Sequence, residues 1–167
     1  MNRPKINPEK SKIDYLLEFT TLFIYILSLG LVIWNYQDLP NDISVNFNWP
    51  NKDENGMINK TLIFAPILLS TFLGAGIYKL NQYPWLFNYL VTITEKNAAF
   101  QYKYATKMLR TLNLMIVLIF GLLSLQALLE TNGIRYQGLD ILIKWFPALM
   151  ISIPLIFLIK MNSNNSN

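Results

Sequence analysis

The chain has 167 residues, a formal net charge of +4, 53% hydrophobic residues and 14% charged ones, whereas a soluble domain carries roughly 25% charge. Cysteine and histidine are both absent, which excludes disulfides, thiolate or imidazole metal sites, Cys–His and Ser–His–Asp nucleophiles and histidine proton relays. The apolar surplus must face something other than water, and at about 20 residues per crossing four spans consume most of the chain.

A tail over residues 1–15 carries Arg3, Lys5, Lys10 and Lys12. The first apolar run, residues 16–36, reads LLEFTTLFIYILSLGLVIWNY and ends in Trp34 and Tyr36, whose rings suit a membrane interface. At 1.5 Å per residue it crosses a hydrocarbon core of about 30 Å. A cleavable signal segment would have an apolar stretch of about 7–15 residues and a small-x-small site. This run is longer and lacks that site, so it reads as a retained helix.

An outer loop follows over residues 37–61. Ile43, Val45, Phe47 and Trp49 alternate there with Ser44, Asn46 and Asn48, the period of a strand. Pro40 and Pro50 bound it, and Asp53-Glu54-Asn55-Gly56 has the composition of a turn. One strand needs a partner, and the second outer loop, residues 130–140, offers Gly133-Ile134-Arg135-Tyr136-Gln137. Two readings stand: the loops pair as a small extracytoplasmic β cap, or both are irregular and dip aromatic residues into the headgroups. Asp38, Asp42, Asp53 and Glu54 lack the Asp-x-Asp-x-Asp-Gly order of a calcium loop and read as a solvated acidic surface.

The stretch Leu39-Pro40-Asn41-Asp42-Ile43-Ser44-Val45-Asn46-Phe47-Asn48, with Gly56 and Lys60 before an apolar run containing Pro66, resembles the signature of the bacterial membrane family with domain of unknown function 1648. That family includes part of the SdpI-type immunity proteins, and its pattern is approximately LPxxIPxHF, then a Gly, then a Lys entering the next helix. Leu39, Pro40, Ile43, Phe47, Gly56 and Lys60 match. Ser44 stands where the family has proline and Asn46 where it has histidine, so a titrating or metal-binding role of that histidine does not transfer.

The second span covers residues 62–80, with Pro66 about one turn after its start, where a missing N–H costs least. Ser70 and Gly74 form a small-xxx-small pair suited to close approach by a helix of the same chain or of a second copy, the former being the default. A cytoplasmic connection, residues 81–111, contains FNYLVTITEKNAAFQYKYATKMLRTLN. This is similar to the FNYPxxITEENAxxQYxxAxxMLRxL pattern of the same family, from Phe87, Asn88 and Tyr89 through Ile93, Thr94, Glu95, Asn97 and Gln101 to Met108, Leu109 and Arg110. Thr92 and Glu95 have capping-box spacing, with Thr94 a competing cap. Ala99, Tyr102, Thr106, Leu109 and Asn113 share one face, while Lys96, Lys103, Lys107 and Arg110 keep the other basic. Such a helix could lie on an anionic leaflet or dock a partner. With no Pro or Gly between Ile93 and Phe120, continuity into the third span, residues 112–129, is favoured, with a bend near Thr111-Leu112.

The fourth span, residues 141–159, contains Pro147 and Pro154 and is expected to be kinked or broken. An Asn-rich disordered tail is expected over residues 161–167. The fold class is therefore an all-α integral membrane protein, a single four-helix domain over residues 16–160 with a small outer cap. Ten Lys and Arg on one side against four on the other place both termini in the cytoplasm of a bacterial inner membrane. Topology explains the basic residues, so nucleic acid is not a partner.

Within the spans Glu18 and Lys144 lie within a turn of an end, where charged groups reach the interface. Ser70, Thr71, Ser124 and Gln126 are deeper neutral groups that could line a polar path, and Gln126 is singled out because an amide is not satisfied by its own helix backbone. No catalytic constellation, cofactor site or metal site is read. The function expected is that of a non-enzymatic interaction protein, in immunity or signal sensing, with a peptide or protein partner at Leu39, Pro40, Ile43, Asn46, Phe47, Trp49, Gly56 and Lys60. The alternative is a small transporter or channel subunit built on the Gln126, Ser124, Ser70 and Thr71 path, a reading that predicts a homo-oligomer in the lipid bilayer.

Overall fold

The computed structural model describes residues 3–45 and 52–163. Four helices, each long and apolar enough to cross a membrane, give the chain the build of a multi-pass membrane protein: α1 (Lys12–Tyr36), α2 (Ala65–Leu80), α3 (Ala98–Thr131) and α4 (Gln137–Ser163). Their lipid-ready faces are plain in the exposed side chains of Phe19, Phe23, Phe72 and Ile156. α3 is the spine. α1, α2 and α4 each run along it, whereas α1 and α2 scarcely touch one another.

The first helix begins one turn before its apolar run because Ser11 and Asp14 cap each other. Ser11 N–H and Oγ donate to Asp14 Oδ2 at 2.8 and 2.6 Å, and Asp14 N–H donates to Ser11 Oγ at 3.4 Å, satisfying N-terminal groups the helix leaves open. At the other end of the bundle, a 3₁₀ segment Lys60–Phe64 feeds α2, and Pro66 falls in the first α-helical turn. This is the position at which its missing donor is harmless.

The sheet differs from the expected pairing. β1 (Asp42–Ser44) pairs antiparallel with β2 (Met57–Asn59), with Ile43 opposite Ile58, and not with the 130–140 loop. That loop is too short to offer a strand: α3 runs to Thr131 and α4 begins at Gln137. Gly133, at φ 72°, closes the end of α3, with Gly133 and Ile134 N–H donating to Glu130 O and Leu129 O at 3.0 and 2.9 Å. Ile134 and Tyr136 are exposed. The expected alternation holds over Ile43, Ser44 and Val45, buried, exposed and buried, while Asn46, Phe47, Asn48, Trp49 and Pro50 lie outside the described residues.

Leu39, Ile43, Val45 and Ile58 fold back onto Val32, Ile63, Ile67, Ala127 and Leu128 as one core that ties the hairpin to the ends of α1, α2 and α3. We refer to this as the cap end and to the opposite end as the terminal end.

At the terminal end the connection from α2 to α3 is mostly not helical. The Thr92–Glu95 capping box does not form. Asn97 folds over that segment instead, accepting from Thr94 N–H at 2.8 Å and donating to Thr92 O at 3.0 Å, and α3 starts at Ala98. From there α3 runs unbroken to Thr131, its 34 residues spanning about 50 Å. α4 is likewise assigned as one helix through Pro147 and Pro154, and it extends to Ser163. Met161 is buried there, its carbonyl accepting from Gln101 Nε2 at 2.9 Å, so residues 161–163 belong to α4 and not to the expected tail, the rest of which lies outside the described residues.

Candidate functional site

Four charged side chains meet at the terminal end, three from two helices and Lys10 from the segment before α1. Arg110 of α3 donates through Nε to Glu18 Oε1 at 2.8 Å and through Nη1 to Asp14 Oδ1 at 3.3 Å, and Lys10 donates to Glu18 Oε2 at 2.8 Å. Arg110 and Asp14 are nearly closed off, with 10% and 3% of their side chains exposed. Arg110 therefore leaves the basic face assigned to it beside Lys103 and Lys107 and turns inward. Glu18 is held by two cations.

Because α1 and α2 lean on α3 far more than on each other, a lateral groove of about 630 Å³ opens between them. Its long part is apolar, walled by Phe19, Leu22, Ala75 and Val117, and its terminal end meets Glu18, Arg110, Asn81 and Asn113. A second recess of about 310 Å³ continues past Glu18, Arg110 and Asn81 to Asn7, Lys10 and Gln82. Asn113 Nδ2 reaches Gly74 O at 3.4 Å, and a methyl on Gly74 would lie 3.0 Å from Asn113 Oδ1. The small residue thus admits a helix of the same chain, as the default reading of the Ser70–Gly74 pair has it. Asn81 Oδ1 and Asn113 Oδ1 are buried and, among the described residues, receive no hydrogen bond.

The expected polar path divides between two places. Ser70 and Thr71 line the groove, where Thr71 Oγ1 bonds Ile67 O and the Tyr25 hydroxyl, both at 2.8 Å. Ser124 and Gln126 do not line it. Ser124 Oγ donates to Phe120 O of its own helix at 3.1 Å. Gln126 donates to Glu130 Oε1 at 3.1 Å and to Asp140 Oδ1 at 2.7 Å, with Arg135 on the other Asp140 oxygen at 3.3 Å. Its amide joins α3 to α4 at the cap end.

The residues expected to form a partner surface separate by role. Leu39 and Ile43 are buried core, Pro40 is exposed, and Gly56 sits at φ 77° in the turn. Asp53 Oδ1 holds that turn by accepting from Asn55 and Met57 N–H at 3.0 and 2.7 Å. Lys60 Nζ donates to Leu39 O at 3.1 Å and lies 5.1 Å from the centre of the Tyr36 ring, fastening both ends of the loop to α1. Asn46, Phe47 and Trp49 lie outside the described residues.

A further set of contacts at the terminal end gave no sequence signal. Arg3 donates to Trp85 O and Phe87 O at 3.1 and 2.6 Å and lies over the Tyr89 ring, while the Tyr102 hydroxyl donates to Pro4 O at 3.0 Å. Burial pushes the Tyr89 phenol up in pKa; nearby Tyr102 adds to this and the Arg3 guanidinium opposes it. Among the described residues no group of three or more Asp and Glu is disposed to hold a metal ion. Comparison with models of protein families, with curated proteins and with solved structures finds no match.

Proposed function

We propose that this chain is a non-enzymatic protein of the bacterial cytoplasmic membrane, with both termini in the cytoplasm, that recognises a peptide or protein at its outer cap for toxin immunity or signal sensing. The orientation rests on the Lys and Arg distribution, and the functional class on the motif resemblance that residues 39–60 and 87–113 bear to the family with domain of unknown function 1648. The observation that supports recognition is the hairpin. Ile43 and Ile58 anchor it in the core while Asp42, Ser44 and Asn59 face away and are exposed. A two-stranded sheet leaves backbone donors and acceptors along its outer edges, to which an extended peptide can add.

The test replaces Pro40 and Ser44 in turn with a photo-cross-linking residue in native membranes. A discrete polypeptide adduct at either position supports recognition. Adducts confined to lipid or to the 132–136 connection sink it. A second reading, a small transporter or channel subunit, draws on Ser70 and Thr71 in the groove, and solute flux in proteoliposomes abolished by Thr71→Trp would favour it.

A further inference from the structure

The groove between α1 and α2 has the two-part character of an amphiphile. Its long section is walled by apolar side chains and opens sideways past Phe19, Leu22 and Tyr78, whose exposed faces mark lipid-side surface. Its volume lies within the range of ligand sites. At the terminal end it runs into the polar recess through a neck formed by Glu18, Arg110, Asn81 and Tyr78, which line both spaces. An acyl chain fits the first section and a headgroup the second, with the headgroup at the end of the bundle where an interface would lie.

The chemistry of the neck narrows the headgroup. Two buried amide oxygens, Asn81 Oδ1 and Asn113 Oδ1, receive no hydrogen bond among the described residues, and a buried acceptor without a donor is costly. Glu18 beside them is already held by Lys10 and Arg110. The two amide oxygens want a hydrogen-bond donor. Lys10 and Arg110 beside them suit a phosphate. We propose that the groove holds one phospholipid of the surrounding bilayer with a primary ammonium headgroup, its chain between α1 and α2 and its ammonium at Asn81 and Asn113. An ammonium donates hydrogen bonds that its trimethylated counterpart cannot.

The experiment purifies the full chain and exchanges it into micelles containing equal amounts of phosphatidylethanolamine and phosphatidylcholine with identical acyl chains. Retained lipid is then counted by native mass spectrometry. The expected result is one lipid per chain, with the ethanolamine form favoured roughly tenfold, the size of a lost charge-assisted hydrogen bond. Asn81→Leu should erase the preference, and Ala75→Trp, which fills the apolar section, should abolish retention of both lipids. Equal retention by the unmodified chain overturns the proposal, as does a second copy of the chain in place of lipid. A preference that survives Asn81→Leu and Asn113→Leu in folded protein, judged by circular dichroism, also overturns it.

Discussion

Arg110 Nε lies 2.8 Å from Glu18 Oε1, joining positions 92 residues apart in sequence. The same guanidinium also reaches Asp14, so one cation on the spine holds the carboxylate that caps α1 and the carboxylate one turn further in. Buried ion pairs gain little net stability over apolar contacts, but removing one partner strands the other and costs about 3–5 kcal/mol. Arg110→Leu should therefore lower stability by about that amount, measured by thermal unfolding in micelles. Lys10→Ala removes a more exposed partner and should cost under about 1 kcal/mol. Adding Asp14→Asn and Glu18→Gln to Arg110→Leu should restore part of the loss, whereas a purely steric role for Arg110 predicts no restoration.

Gly121 on α3 faces Ser28 on α1 closely enough that a methyl placed there would meet Ser28 Oγ and come within 3.4 Å of Ser28 Cβ. Gly121→Ala should destabilise by about 1–3 kcal/mol, as overpacking does. In a Ser28→Ala background the remaining approach is ordinary van der Waals contact. The two substitutions should couple favourably in a double-mutant cycle, and strict additivity would refute the close approach.

The cap makes a graded prediction. Ile43 is fully buried, and Ile43→Ala should cost about 2–5 kcal/mol. Gly56→Ala forces a side chain into the left-handed region at φ 77° and should cost about 1–2 kcal/mol. Pro40 is exposed, and Pro40→Ala should stay within about 0.5 kcal/mol. Loss of cap structure can be followed by proteolysis at the 52–56 turn.

Alkaline pH tests the terminal end. The Tyr89 phenol, raised by burial, is stabilising while protonated. That contribution is whole below the ordinary phenol value of about 10 and is lost as pH climbs towards the folded-state value. The melting temperature should fall above about pH 10, and Tyr89→Phe should fall less steeply over that range. Identical slopes would remove Tyr89 from the account.

Much of the architecture could be read from apolar run lengths, because a helix that crosses lipid must satisfy its backbone internally and show apolar side chains all round. Residues 16–36 and 62–80 fall within α1 and the segment leading through α2. Continuity of α3 was likewise legible, since no Pro or Gly interrupts residues 93–120. Strand pairing was not, because alternation in Ile43, Ser44 and Val45 names a strand without naming its neighbour. Asp14 left a local trace, Ser11 three residues before an acid and ahead of an apolar run, but its partner on α3 left none. The groove was equally hidden: it arises from two helices leaning on a third, a relation between elements that no single run encodes.

That leaning has a consequence for synthesis in the cell. α1 and α2 emerge first and touch each other at few points, the Tyr25–Thr71 hydrogen bond and the cap-end core among them, so most of the packing of both has to come from α3. Arg110 is made 92 residues after Glu18, a delay of roughly 5–20 s at translation speed. Through that interval Asp14 and Glu18 have only their local partners, Ser11 and Lys10. Assembly of this bundle therefore waits on its third helix, and a translation arrest before residue 110 leaves two inserted but unassembled helices for the membrane's insertion and quality-control machinery to hold.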